Sequence, residues 1–125
     1  MAISKGVRTF VMGLLRRGTY RWPGRFNSLK KANQGRNQYL CAGCGGIFKK
    51  KEINLDHIEP VIPVEGTEDF NVIIERMYAM EDGWQVLCVV PSEANGGKPK
   101  GCHGEKTETE NEQRRDVKKV SRKKK

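Results

Sequence analysis

The chain has 125 residues and a mass of 14.2 kDa, room for one small domain and too little for a second catalytic one. Lys and Arg number 24 against 15 Asp and Glu, a net charge of +9 that calls for an anionic partner, nucleic acid first. Hydrophobic residues are 36% and no apolar run reaches about 18 residues, which excludes a membrane-spanning helix and an apolar core extending over the whole length.

In chain order, Val7, Phe10, Val11, Leu14 and Leu15 fall at helical spacing, so a helix is expected from about Ser4 to Arg17, ending near Gly18, with Arg8 on the opposite face. Its apolar stretch, Phe10 to Leu15, is shorter than a secretory core and runs into Arg16 and Arg17. A cytoplasmic location with reduced thiols is the expectation. Pro23 opens a second helix through Phe26, Leu29 and Lys30 that stops by Gly35. The glycines of Cys41-Ala42-Gly43-Cys44-Gly45-Gly46 permit the tight turn that two metal thiolates need. Ile53 to Ile58 reads as a strand halted by Pro60. Phe70, Ile73, Ile74, Met77 and Tyr78 mark a helix whose stripe is core, with Thr67 as N-cap. Trp84 to Val90 reads as a second strand and Pro91 to Gly101 as a loop. A polar helix begins at Cys102, where Glu108, Glu112 and Arg115 are near neighbours on the helix surface. There are no internal repeats.

Charge is laid out in blocks. Residues 1–51 carry 12 Lys or Arg and no acid, residues 52–113 carry 4 against 14 acids, and residues 114–125 carry 8 with only Asp116. Two basic segments thus flank an acidic centre, as suits a domain that holds a cation between segments that grip phosphate. Arg8, Arg16, Arg17, Arg21, Arg25, Lys30, Lys31 and Arg36 have no acids between them and are the candidate nucleic-acid contacts. The final Arg122-Lys123-Lys124-Lys125 reads as a solvated tail.

Cys41-x2-Cys44 and Cys88-x13-Cys102 form two pairs. In a reducing compartment they favour a closed tetrahedral zinc site over disulfides. Lengthening the second loop costs about 1–1.5 kcal/mol of closure entropy, small beside the roughly 10–16 kcal/mol of structural zinc binding. The two histidines have telling neighbours: Asp56 directly precedes His57 at a strand end, and His103 follows Cys102. With about 100° between successive helical residues, Cys102 can face zinc while His103 faces elsewhere. Phosphodiester hydrolysis needs a divalent cation, which Asp56 and His103 can hold, and a base near neutral pH, which His57 can be.

Cys-x-x-Cys, Leu55-Asp56-His57-Ile58-Glu59-Pro60, Gln85-Val86-Leu87-Cys88 and Cys102-His103-Gly104-Glu105-Lys106-Thr107, in this order, resemble the HNH endonucleases, in particular small zinc-containing members from bacteriophages. The resemblance covers roughly residues 39–112. It implies an α+β fold with a ββα-metal core, N-terminal helices, an inserted helix and a basic C-terminal tail. It also implies His57 as general base, Asp56 and His103 as ligands of catalytic magnesium or manganese, and Cys41, Cys44, Cys88 and Cys102 as ligands of structural zinc. The expected organisation is a basic helical arm over 1–37, a nuclease domain over 38–116 and a disordered tail over 117–125. The expected function is DNA endonuclease, nicking as a monomer, with Lys106 joining the nucleic-acid contacts. A non-catalytic zinc module that binds nucleic acid is the alternative, and a nuclease fold without activity is a third reading. The pattern departs from the family in the long Cys88-to-Cys102 loop and at Gly83, where the family carries Asn just ahead of the second strand. A backbone carbonyl near Gly83, the Asp82 side chain or Asn71 would then replace that Asn.

Overall fold

The computed structural model describes residues 3–63, 66–67 and 69–123. Helix α1 (Lys5–Gly18) starts on Ser4, whose hydroxyl accepts the Val7 N–H at 3.2 Å and so satisfies one of the free donors of the first turn. The expected apolar stripe of this helix needs correction. Val7, Phe10 and Leu14 are exposed, and the helix turns Arg8, Met12 and Leu15 toward the rest of the chain. Positions 8, 12 and 15 have the same helical spacing as the stripe expected, and the Arg8 guanidinium lies 4.5 Å from the centre of the Phe70 ring. A planar cation on a methylene stem covers an aromatic face well, which admits an arginine where the sequence pattern suggested an outward position.

After a 3-10 turn, α2 (Pro23–Ala32) begins on proline at its first position and ends earlier than Gly35. The chain passes directly into β1 (Asn33–Gly35), which pairs antiparallel with β2 (Gln38–Leu40), itself paired with β3 (Ile47–Phe48). These short strands have no alternating apolar pattern for sequence reading to detect. The boundary expected at residue 37 therefore falls in the turn of a hairpin, where Asn37 adopts φ +55°. Segment 1–37 is also tied to the remainder, because the Trp22 indole donates to the Ala79 carbonyl at 2.6 Å and α2 packs near residues 81–88.

Strands β4 (Ile53–His57) and β5 (Trp84–Cys88) form an antiparallel pair in which Ile53 faces Cys88, Asp56 faces Gln85 and His57 faces Trp84. Between them lies α3 (Phe70–Met77). Its cap is Asp69, whose carboxylate accepts from Asn71 N–H at 2.9 Å; Thr67 sits one step back, accepting from Asp69 N–H. Of the stripe expected to be core, Ile73 and Met77 are fully buried with Met12, while Ile74 is exposed.

Helix α4 (Gly101–Lys123) packs against β5. The tail expected to be disordered from residue 117 is instead helical to Lys123, and Lys124 and Lys125 lie outside the described residues. No Gly or Pro follows Gly104, the residues are mostly good helix formers, and cationic side chains at a helix C-terminus complement its dipole. The result is a mixed fold of helices and small sheets with two cores. One holds Met12, Ile73 and Met77; the other holds Phe48 and Leu87 packed with Cys41, Cys88 and Cys102.

Candidate functional site

Cys41, Cys44, Cys88 and Cys102 converge from the knuckle, the end of β5 and the start of α4, with every sulfur within 4.8 Å of the others. Cys44 Sγ and Cys88 Sγ are 3.9 Å apart. Four thiolates at about 2.3 Å from one ion in a tetrahedron would stand roughly 3.8 Å apart, so the donor set and spacing suit a soft divalent metal. Burial raises the Cys41 thiol, but the N–H groups of Cys44, Cys88 and Gly43 outweigh it and bring it down to about 7. Burial and neighbouring thiols push Cys102 up, as expected of crowded sulfurs whose charge no cation offsets. A Cβ at Gly43 would lie 2.8 Å from Cys102 Sγ, so the knuckle can approach α4 this closely only with glycine there.

The 13-residue stretch between Cys88 and Cys102 is organised by Asn95, which is 5% exposed. Its Oδ1 accepts from the N–H groups of Ser92, Gly97 and Lys98, each at 3.0 Å, and its Nδ2 donates to the Val90 carbonyl at 2.8 Å and to Cys88 Sγ at 3.3 Å. One side chain therefore folds the loop and holds the Cys88 sulfur. Sequence reading missed Asn95, since Asn in a Gly-rich loop signals only a turn. Asn95→Ala should leave three part-buried N–H donors without their acceptor, lower the melting temperature and weaken metal binding about 10–100-fold. A competition titration with a chromophoric chelator measures this, and wild-type affinity in the variant would show the loop to be independent of the metal centre.

His57, at the end of β4, is half-buried, and its ring centroid lies 3.8 Å from that of Trp84. Its Nε2 is 2.8 Å from the Met77 carbonyl at the end of α3. A carbonyl only accepts, so Nε2 carries the proton and the neutral ring keeps its lone pair on Nδ1. Burial lowers the His57 pKa, opposed by the Met77 carbonyl and Asp56 and helped by Lys106 and Arg25. The loop that follows is held where Ile58 N–H donates to the Gly83 carbonyl at 3.0 Å.

Asp56 Oδ1 faces His103 Nε2 at 3.9 Å, too long for a hydrogen bond. Asp56 Oδ2 is buried and lies 2.8 Å from Lys106 Nζ, but off the direction of a hydrogen bond, so this contact is an ion pair. Lys106 also donates to the His57 carbonyl at 2.9 Å and pairs with Glu110. Burial alone would lower the Lys106 pKa; the two carboxylates more than reverse this and hold it as an ammonium. His103, Lys106, Glu110 and Arg114 fall on one face of α4, the last donating to the Ile62 carbonyl at 3.1 Å. That stripe, rather than Glu108, Glu112 and Arg115, is the face turned to β4 and the chain after it. Cys102 and His103 do face different centres, as a helical step of about 100° allows.

The candidate nucleic-acid contacts separate into groups. Arg16, Arg17 and Arg25 line one depression with His57 and Trp84. Arg16 also borders a second depression, lined by Asp56, His57, Lys106, Glu110 and Arg114. Arg21 and Arg36 are exposed. Several, Arg25 included, are engaged within the chain: Arg8 on Phe70, Arg25 4.7 Å from the Tyr20 ring centre, Lys30 4.8 Å from the Phe26 ring centre, and Lys31 3.5 Å from Glu81. Among the described residues, no helix is long and apolar enough to cross a membrane. The chain matches no protein-family model, no curated protein and no solved structure.

Proposed function

We propose that the protein is a metal-dependent DNA endonuclease of the HNH type, with β4, β5 and α4 as its ββα-metal core and zinc in the cysteine cluster. The observation that carries this reading is that Asp56, which faces His103 across 3.9 Å, lines one depression with His57, whose neutral ring is held at Nε2 by the Met77 carbonyl. The Asp56 carboxylate, with Oδ1 toward the His103 imidazole nitrogen and its buried Oδ2 toward Lys106, is together with His103 a donor set for a hard or borderline divalent cation. Magnesium or manganese held there would supply charge neutralisation on the scissile phosphate and the departing 3′ oxygen. His57 Nδ1 takes the proton of the attacking water as the phosphorus–O3′ bond breaks, leaving a 5′-phosphate and a 3′-hydroxyl. The contact with Trp84 and the Met77 carbonyl fix the ring, so no tautomer change precedes proton transfer. Main-chain carbonyls thus take over what the family's Asn does: Gly83 holds the loop and Met77 holds the base. Asp82 and Asn71 are exposed.

Arg16, Arg17 and Arg25, around His57, are the phosphate contacts of this reading. Arg16→Ala and Arg25→Ala should each weaken DNA binding similarly for unrelated sequences and reduce the salt slope by about one unit. Lys31→Ala, already paired with Glu81, should change neither. Fluorescence anisotropy across a salt series is the measurement, and unchanged slopes for the arginine variants would remove them from the interface.

The test of the function is incubation of the zinc-loaded protein with plasmid and magnesium or manganese, beside His57→Ala. Cleavage lost in the variant supports the nuclease. A non-catalytic zinc module that binds nucleic acid is favoured by one observation, that Lys106 neutralises Asp56 without any metal. DNA binding without cleavage under either metal would establish that second reading.

A further inference from the structure

We propose that Lys106 is an exchangeable internal cation of the site: its ammonium bridges Asp56 and Glu110 in the metal-free protein, and divalent binding displaces it from Asp56, leaving it on Glu110 alone. The inference rests on the nuclease reading for the identity of the metal ligands, but it concerns residues which that reading leaves without a metal-binding task. The ammonium stands 2.8 Å from Asp56 Oδ2 and 2.9 Å from the His57 carbonyl, and contacts Glu110 on the next turn of α4. Asp56 and Lys106 are each less than a quarter exposed at their side chains, as is Glu110. A carboxylate this far from water without a cation would be costly, and the lysine supplies the missing charge. A divalent cation and the ammonium compete for the same carboxylate, because two positive charges within a few ångströms of each other in a poorly hydrated site repel strongly. The lysine has somewhere to go. Glu110 lies four residues after it on one helix face, so the side chain can give up Asp56 through its own torsions and keep a partner, with no movement of α4. Asp56 is thereby kept ionised and in place before the metal arrives, and the affinity for metal is set by how readily Glu110 accepts the displaced ammonium.

The test is a double-mutant cycle on the full-length, zinc-loaded chain, with Mn²⁺ binding read by calorimetry and by the Mn²⁺-induced shift in melting temperature. Lys106→Met should bind Mn²⁺ at least ten-fold tighter than wild type, and its melting temperature without Mn²⁺ should fall but recover when Mn²⁺ is added. Glu110→Gln, which removes the alternative acceptor, should bind several-fold more weakly than wild type. The deciding result is the double variant. If Glu110 acts by receiving Lys106, Glu110→Gln has no effect in the Lys106→Met background; if its effect there is undiminished, Glu110 acts directly on the metal and the exchange is refuted. Lys106→Gln serves as a milder substitution should Lys106→Met fail to fold. Asp56→Asn must abolish Mn²⁺ binding throughout. Mn²⁺ bound through Asp56 with equal affinity in wild type and Lys106→Met overturns the exchange and leaves the nuclease reading standing, whereas no Mn²⁺ binding in any variant overturns both.

Discussion

Cys88→Ser should abolish cooperative folding at room temperature and release zinc. Cys88 is fully buried at the end of β5, and its sulfur accepts from the Cys102 N–H at 3.4 Å and from the Asn95 side chain at 3.3 Å. It therefore joins the sheet, the long loop and α4 at one atom. The core around it is small, and three of its five buried residues are cysteines, so a metal held by the cluster would take the place that apolar volume fills in larger domains. Binding energy of roughly 10–16 kcal/mol for such a site is then mostly folding energy. Circular dichroism melts with elemental analysis give the result, and Cys41→Ser should behave alike. A wild-type melting temperature in either variant, or native protein without one tightly held zinc per chain, would exclude a structural metal.

The second large effect is catalytic. His57→Ala should keep zinc, fold and DNA affinity, yet cleave about 10²–10⁴-fold more slowly in single turnover, the range for loss of a positioned base. Because burial depresses the His57 pKa below its ordinary 6.5, the imidazole is neutral at neutral pH, and the acidic limb of the rate profile should lie below pH 6.5. The same depression makes stability depend on pH in a known direction. The unfolded chain takes up a proton near pH 6.5 that the folded chain resists, so the contribution of a neutral buried His57 is full above that pH and is lost as the pH falls through the folded value. His57→Ala should flatten both profiles; wild-type cleavage in the variant would end the assignment of His57 as the base.

The sequence by itself determined those features whose signal is residue type at short spacing. The two cysteine pairs meet in one cluster, Asp56-His57 and Cys102-His103 come together at the β4–α4 contact, and helices and strands lie near their expected places. Spacing within a turn or along a strand fixes direction, and four cysteines in such a short chain leave few other arrangements. Tertiary structure alone decided the rest. His57 is oriented by the Met77 carbonyl and the loop after it by that of Gly83, and a main-chain oxygen has no residue signature from which a reader could pick it out. Arg8 turns inward onto Phe70 and Lys31 pairs with Glu81, so they are not free in the way that their acid-free surroundings in sequence implied. Lys106, expected among the nucleic-acid contacts, reaches back across the fold to Asp56. A charge's task depends on which opposite charge is buried beside it, and only the packing of α4 against the β4–β5 pair brings Lys106, already a neighbour of Glu110 on its own helix, to Asp56.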